Sequence, residues 1–390
     1  MTRRILKSLA RLVGLTALAW LGMAGQALAG QPAPPAGEAQ TAGHDEPARR
    51  VEFVGTPMPI INPTVGNGLA GVAGLAVRFD PDDAVSPPSF LAVGAGATSN
   101  GTWGWGVGGQ VYLWEDRFRV QAIVGSGRVR YDFYGTGNEA GDSGFYLPVE
   151  LDVVTFLVEP KVHVGGRWYI GPRYYLLDSS AGVNLDRLLE QFPELPPDLP
   201  EIPGLDTDVR SAALGLRVQR DSRDSTFYPR AGSVFDTTLD VYDSVFGSQR
   251  NYEDLEVSYQ GYQGIGSKNV LAYRATVCAT TGDAPFYALC LFGRSQDIRG
   301  YAIGQYQDRR MLVGQVEYRR DLFWRFGGVA YFGSGAVARS LEALRDSRFR
   351  LGGGIGLRFT LAKENRINLL VDYAWGRGSS AFYVGLGEAF

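Results

Sequence analysis

From Val51 onward the chain repeats one pattern: segments of about ten residues in which apolar side chains alternate with polar or small ones, each ended by Gly, Asn, Asp, Ser or Pro. Side chains two apart on a strand point the same way, so this period of two predicts strands with one greasy and one hydrophilic face. Ile367, Leu369, Val371, Tyr373 and Trp375 share one face, and Asn368, Asp372 and Gly376 the other. Leu255, Val257 and Tyr259 oppose Glu256, Ser258 and Gln260, and Leu271, Tyr273 and Ala275 oppose Arg274 and Thr276. Leu351, Ile355, Leu357 and Phe359 oppose Gly352, Gly354, Gly356 and Arg358. The second face is too small or too charged for a packed apolar core, which predicts a hydrated interior behind it.

Alternation alone does not separate a soluble sandwich from a barrel whose apolar face meets lipid. The start of the chain and the aromatic strand ends decide it. Arg3, Arg4, Lys7 and Arg11 precede an apolar run from Leu12 to Ala24 that closes with Ala27-Leu28-Ala29. That is a charged region, a short hydrophobic region and a small-x-small cleavage site, so residues 1–29 are expected to be a secretory signal peptide cut after Ala29. Residues 30–50 are polar and Pro-rich and are expected to be a periplasmic linker. Past the leader no stretch holds 18 uninterrupted apolar residues, which excludes a helical membrane protein. The 52 Gly, 20 Tyr, 20 Phe and 7 Trp suit a chain of turns and interfacial rings, Trp103-Gly104-Trp105 among them. A net charge of -3 gives no reason to expect a nucleic-acid partner.

The pattern places strands near 51–61, 68–79, 89–98, 102–113, 117–133, 149–164, 167–178, 208–221, 233–242, 253–264, 269–280, 309–321, 326–338, 348–361, 366–377 and 381–390. Sixteen is an even number, so the expected fold is an all-β, 16-stranded antiparallel transmembrane barrel over residues 51–390 with both ends in the periplasm. Trp114-Glu115-Asp116-Arg117, Val164-Gly165-Gly166, Asp321-Leu322-Phe323-Trp324 and Ala362-Lys363-Glu364-Asn365 read as periplasmic turns. Segments 134–148, 179–207 and 281–308 are long enough to be external loops. Pro193, Pro196, Pro197, Pro200 and Pro203 break the second of them, leaving room for one helical turn at 184–190. In the first strand, Pro57, Pro59 and nearby Pro63 cannot donate to a ladder, so its seam with Tyr383 to Phe390 should be under-bonded, with Gly385 and Gly387 easing distortion. The other reading is that these prolines form an unpaired entry segment.

Three stretches resemble a known family. Asp221-Ser222-Arg223-Asp224 with Phe227-Tyr228-Pro229-Arg230-Ala231-Gly232 is similar to the Asp-x-Arg-Asp…Phe-x-Pro-x-x-Gly turn of the BamA/TamA outer-membrane insertase superfamily, the bacterial surface antigens. Ile298-Arg299-Gly300-Tyr301 ahead of Met311 to Arg319 resembles its Arg-Gly-aromatic loop and the strand that follows. Gly354 to Phe359 leading to a final Phe390, with Phe382, Val384 and Leu386 at alternate positions, resembles its last strands. There a terminal aromatic is the signal read by the barrel assembly machinery, and Glu388 departs from that pattern.

The resemblance implies an external loop folded back into the lumen, with Arg299 against acidic groups of the wall, Gly300 making the bend and Tyr301 beside it. Gly allows a close backbone approach and Arg suits a carboxylate. Glu317 is the expected partner, on the polar face shared by Val313, Gln315 and Arg319. The family's frequent Asp on the next strand falls at Gly333. With about twenty residues between leader and barrel, the chain is expected to be a barrel-only member without substrate-recruiting domains. Cys278 and Cys290 either form a disulfide tethering the base of the loop that carries Arg299 or remain buried thiols.

Enzyme chemistry is not expected. His44 lies in the linker and His163 near the periplasmic end of a strand, and no Gly-x-Ser-x-Gly, His-Glu-x-x-His or Cys/His metal spacing occurs. No cofactor or metal is implied. The expected partners are outer-membrane lipid, the assembly machinery during insertion, and an unidentified polypeptide or lipid substrate. Assembly or translocation through the seam in the bacterial outer membrane is the leading expectation, and a plugged porin-like or structural barrel the alternative.

Overall fold

A computed structural model describes residues 51–80, 82–83, 85–191, 205, 208–362 and 366–390. The expected leader and linker, His44, Pro193 to Pro203, and Lys363, Glu364 and Asn365 lie outside the described residues. The strands are β1 (Val51–Asn62), β2 (Gly66–Val77), β3 (Ser89–Thr98), β4 (Trp103–Leu113), β5 (Phe118–Phe133), β6 (Leu147–Gly165), β7 (Trp168–Val183), β8 (Asp208–Asp221) and β9 (Ala231–Tyr242). They continue as β10 (Tyr252–Ile265), β11 (Asn269–Gly282), β12 (Cys290–Leu291), β13 (Gln307–Asp308), β14 (Arg310–Phe323), β15 (Phe326–Ala338), β16 (Arg350–Ala362), β17 (Ile367–Gly376) and β18 (Ser379–Leu386). All but β12 and β13 close into one barrel in chain order, which agrees with the expected sixteen; β12 and β13 form a separate two-stranded ribbon.

Three short helices sit in loops: α1 (Asn138–Asp142), α2 (Leu185–Gln191) and α3 (Leu341–Asp346). The loops carrying them and the ribbon lie at one end of the barrel, which the sequence assigns to the outside. The turns after β4, β6, β8, β10 and β14 lie at the other, the expected periplasmic end.

The two faces divide as the alternation predicts on the outside. Leu91, Val124, Phe156, Leu214, Val316, Phe332, Leu351, Ile355, Leu357 and Phe382 stand exposed on the outer wall. Inside, Glu159, Lys161, Asp240, Gln315, Glu317, Arg319, Arg358 and Asp372 are buried. Their charges are balanced by ion pairs from strand to strand, as in Arg173 to Asp240 at 2.7 Å and Arg217 to Asp236 at 2.8 Å.

The interior is not polar throughout, which corrects the expectation of a uniformly hydrated lumen. Tyr131, Phe133, Leu147, Val149, Leu151, Val153 and Leu177 of β5 to β7 pack with Leu188 of α2 and Phe286 into a dry cluster at the loop end. Here the interior-facing positions of β6 are themselves apolar, and α2 covers them, so burial against a loop replaces burial in lipid.

The last strand also departs from expectation. The alternation predicts a strand over 381–390, but β18 stops at Leu386, and Gly387, in a left-handed conformation with φ 88°, turns the tail out of the sheet. The Gly387 N–H donates to the Asn368 carbonyl at 2.7 Å, and Glu388 to Phe390 lie toward the lumen. Phe390 therefore does not end an alternating edge strand; its ring lies 5.6 Å from the Arg319 guanidinium carbon.

Candidate functional site

The segment between β11 and β14 runs from the loop end down into the barrel. A disulfide joins Cys278 on β11 to Cys290 on β12 and ties down its base. Phe292, Ile298, Tyr301 and Tyr306 then pack on Met311, Val313 and Val337 of the wall, which gives the loop an apolar anchor. Three rings brace one another edge to face, Phe292, Tyr301 and Tyr306, with centroids 5.2 to 5.7 Å apart.

Asp297 provides a polar anchor. It accepts from Arg274 at 2.9 Å, Thr276 at 2.7 Å and Arg294 at 2.7 Å, and Arg294 reaches on to Glu256 at 2.8 Å. Burial opposes its ionisation, but Arg294 and Arg274 outweigh that and hold its carboxyl below the usual carboxylate range.

At the tip, Arg299 is fully buried and donates to Glu317 of β14 and to Asp372 of β17, while its Nε donates to Gln315 at 3.3 Å. Its guanidinium carbon stacks 3.4 Å from the centre of the Tyr331 ring. Gly300 takes φ 104°, and a Cβ there would lie 2.6 to 2.9 Å from the backbone of Trp375 and Gly376. Tyr301 donates to the Leu351 carbonyl at 2.5 Å and accepts from the Arg377 N–H at 3.1 Å. The glycines on the inner face of β16 make the berth: a Cβ at Gly352 would meet the Arg299 carbonyl at 2.7 Å. One at Gly354 would collide with Tyr331 and the Tyr373 carbonyl, and one at Gly356 with Asp372.

Glu317, the acid on the polar face of its strand, is one partner of Arg299. The second carboxylate comes from Asp372, three strands beyond Glu317, and not from the strand that carries Gly333. At Gly333 a Cβ would already press within 3.0 Å of the Gly314 carbonyl and 3.3 Å of Ile298. Asp372 was visible in the sequence as the acid on the polar face of its strand.

Six charges then close a ring that the sequence did not reveal. Arg299 meets Glu317; Glu317 meets Arg319 at 2.6 Å; Arg319 lies 3.7 Å from Glu388; Glu388 meets Arg358 at 2.7 Å; Arg358 meets Asp372; Asp372 returns to Arg299. Three guanidinium groups and three carboxylates, their side chains all buried, cancel in charge, which offsets the cost of keeping them from bulk water.

The loop tip also touches both sides of the junction between first and last strands. Gly300 donates to the Tyr383 hydroxyl of β18 at 3.1 Å and accepts from Ser379 at 2.5 Å. Ile303 donates to the Thr64 hydroxyl, in the β1–β2 turn, at 2.7 Å. Between those edges β1 and β18 share one registered pair, Ile61 with Val384, whereas β1 and β2 share twelve. Positions 57, 59, 61 and 63 alternate with one parity, and three of them are proline. Continuing the ladder from Ile61 would ask Pro59 and Pro57 for N–H groups that proline lacks.

The turn between β8 and β9 closes the other end. Asp221 accepts from the Arg223 backbone at 3.0 Å and side chain at 2.6 Å, and Asp224 accepts from the N–H groups of Arg230 at 2.9 Å and Ala231 at 3.2 Å. Gly232 at φ 92° passes so close to the Ser222 carbonyl that a side chain would not fit. Phe227 and Pro229 flank Tyr228, which reaches across to Asp321 at 3.3 Å and lies 4.0 Å beneath Arg366. Phe227 and Phe390 are not brought to the loop tip. His163 is exposed beside Tyr169, with ring centres 5.3 Å apart. Among the described residues no group of His, Cys, Asp and Glu is arranged to hold a metal ion.

The barrel is similar to solved structures at low identity. BamA from Haemophilus ducreyi lacking POTRA domains 1-3 matches with 15% identity and a TM-score of 0.54, over 86% of this chain and 69% of that one. CdiB from Escherichia coli matches with 11% identity and a TM-score of 0.58, over 87% of this chain and 62% of that one. CdiB from Acinetobacter baumannii matches with 12% identity and a TM-score of 0.53, over 87% and 60%. The chain therefore spans less than two thirds of either CdiB chain. Among curated proteins none matches the sequence. The Omp85 superfamily domain matches residues 180–390, more than half of the chain, from the end of β7 through the loop, the charge ring and the last strand. The chain belongs to the Omp85 superfamily.

Proposed function

We propose that this barrel resides in the bacterial outer membrane and takes part in assembly or translocation there, passing a polypeptide or lipid through the seam between β1 and β18. The lumen loop serves as the inner strap of that seam. The observation that carries the reading is the junction itself: one registered pair, Ile61 with Val384, bridged from within by a loop that bonds Thr64 on one side and Tyr383 on the other. A barrel wall gains its stability from continuous ladders, so the junction with a single pair is the cheapest to open. Parting it also requires the loop to release one edge.

The reading assigns no covalent chemistry to the chain. Its partners are membrane lipid and a transported substrate, and its own insertion uses the barrel assembly machinery. The test is a covalent staple. In cells that depend on the protein, the pair Ile61→Cys and Val384→Cys, crosslinked by a short bismaleimide, should block accumulation of the dependent envelope component, while either single variant should not. A stapled barrel that supports normal accumulation overturns the seam as the route. The second reading, a plugged channel, draws on the loop's occupancy of the lumen and predicts a conductance that loop release unmasks.

A further inference from the structure

At the turn end of the barrel lies a cavity of about 470 Å³ whose lining is strongly cationic. Lys268, Arg319, Arg320, Arg325, Arg358 and Arg366 border it against a single acid, Asp321. Arg366 pairs with Asp321 at 2.7 Å, and Arg319 and Arg358 belong to the charge ring. Among the described residues Lys268, Arg320 and Arg325 have no carboxylate partner. A lining with this excess of cations over carboxylates draws an anion.

The lip of the cavity indicates which anion. The β14–β15 turn puts Leu322, Phe323 and Trp324 in the open, and Phe326 and Phe359 continue the patch with ring centres 5.2 Å apart. Trp324 packs edge-on to Phe359 at 5.9 Å. Exposed rings beside basic groups at a barrel end mark the depth where acyl chains give way to headgroups. Arg320 lies on the outer face of β14, between lipid-facing Tyr318 and Leu322, so the cationic patch spans the rim from lumen to lipid.

We infer that this cavity binds the phosphate of an anionic glycerophospholipid from the leaflet facing the periplasm. Lys268, Arg320 and Arg325 take the headgroup, and Leu322, Phe323 and Phe326 hold the acyl chains. Guanidinium forks suit a phosphate diester, and basic pockets at membrane interfaces select charged headgroups. This inference stands whether or not the seam between β1 and β18 opens.

The test uses the purified full chain in a zwitterionic detergent, titrated in parallel with dioleoylphosphatidylglycerol, dioleoylphosphatidylcholine and inorganic phosphate, and read by native mass spectrometry and thermal unfolding. Wild type should prefer phosphatidylglycerol to phosphatidylcholine by roughly tenfold or more. The triple variant Lys268→Gln, Arg320→Gln, Arg325→Gln should lose that preference while keeping the folded gel mobility of wild type. Lys268→Glu alone, an exposed change that leaves the fold unburdened, should weaken it severalfold. A preference unaltered in Lys268→Glu and in the triple variant overturns the site, as does an equal response to both lipids. Stabilisation by inorganic phosphate as strong as by phosphatidylglycerol would assign the site to free phosphate and overturn the lipid reading.

Discussion

Glu388 sits 2.7 Å from the guanidinium of Arg358 and, through its other oxygen, accepts from Asn368 at 2.8 Å, so a residue beyond the last strand supplies a carboxylate to the lumen. This accounts for an acid where an apolar residue was more usual. The chain turns at Gly387, and the side chain that alternation would have sent toward lipid goes to Arg358 and Arg319 instead.

Removing that carboxylate leaves Arg358 with Asp372 as its one acid and Arg319 with Glu317 and the Phe390 oxygen, both guanidiniums still buried. Breaking one side of a buried ion pair costs about 3–5 kcal/mol, so Glu388→Leu should lower the temperature at which the barrel loses its folded gel mobility. Combining it with Arg358→Met should cost less than the sum, with a coupling of roughly 0.5–3 kcal/mol in a double-mutant cycle. Additive losses would mean that Glu388 and Arg358 do not act as a pair.

Arg299→Ala removes the cation that Glu317 and Asp372 share, leaving each with one arginine, Arg319 and Arg358, and takes away the strongest hold on the loop tip. The loop should leave its berth. Planar-bilayer conductance should rise severalfold, and protease should cut between Arg294 and Arg309 in folded protein. Wild-type conductance and protection in this variant would show that the apolar anchor of Phe292, Tyr301 and Tyr306 suffices.

Glycine-to-alanine changes test the same berth from the wall. Gly354→Ala drives a methyl into Tyr331 and the Tyr373 carbonyl, and overpacking of this kind costs typically about 1–3 kcal/mol. Gly300→Ala adds a left-handed backbone conformation that side chains resist, at about 1–3 kcal/mol. Both should raise conductance as Arg299→Ala does, whereas Gly71→Ala, where a Cβ has nothing within 4 Å, should not.

Much of this was legible in the residues because a barrel wall writes its periodicity into every strand. Sixteen strands, the loop with Arg299 and the acid at Glu317 all follow from faces two residues apart and from the family resemblance. What was not legible depends on register around the barrel. Asp372 reaches Arg299 only through the register of β14 to β17, in which Glu317 pairs with Tyr331, Tyr331 with Gly354 and Gly354 with Ala374, two residues from Asp372, and no local pattern states that register. The dry cluster around Leu151 and Phe286 was hidden for a related reason: Leu147, Val149, Leu151 and Val153 alternate with Glu150 and Asp152, so the pattern alone reads the apolar face as turned to lipid, and only the fold shows it turned inward against α2. The ribbon of β12 and β13, with two residues in each strand, is too short for periodicity to register.

Restoring donors to the first strand should tighten the seam. Pro57→Ala with Pro59→Ala returns two N–H groups to the parity of Ile61 and lets the ladder extend from its single pair. Amide hydrogen exchange in β18, from Phe382 to Leu386, should slow by roughly tenfold for each 1.4 kcal/mol gained. If the seam is the route, transport should fall in step. Slower exchange with undiminished transport would separate the weak junction from the activity.

The loop's polar anchor gives a pH dependence whose sign is fixed by Asp297. Its carboxyl is held below the ordinary value of 3.8: burial works against the charge, and Arg294 and Arg274 outweigh it. The unfolded or unseated loop therefore binds a proton more readily than the seated one. The stabilisation is fully present above the ordinary value and is lost as pH falls through the lower, seated value. Acidification from pH 7 should leave protease protection of residues 294–309 unchanged until pH drops below about 4, then erode it. Asp297→Asn, which cannot take up that charge, should start less protected at pH 7 and lose this part of the pH dependence. An identical acid profile in wild type and Asp297→Asn would place the acid-sensitive contact elsewhere, with the carboxylates of the charge ring as the next group to substitute.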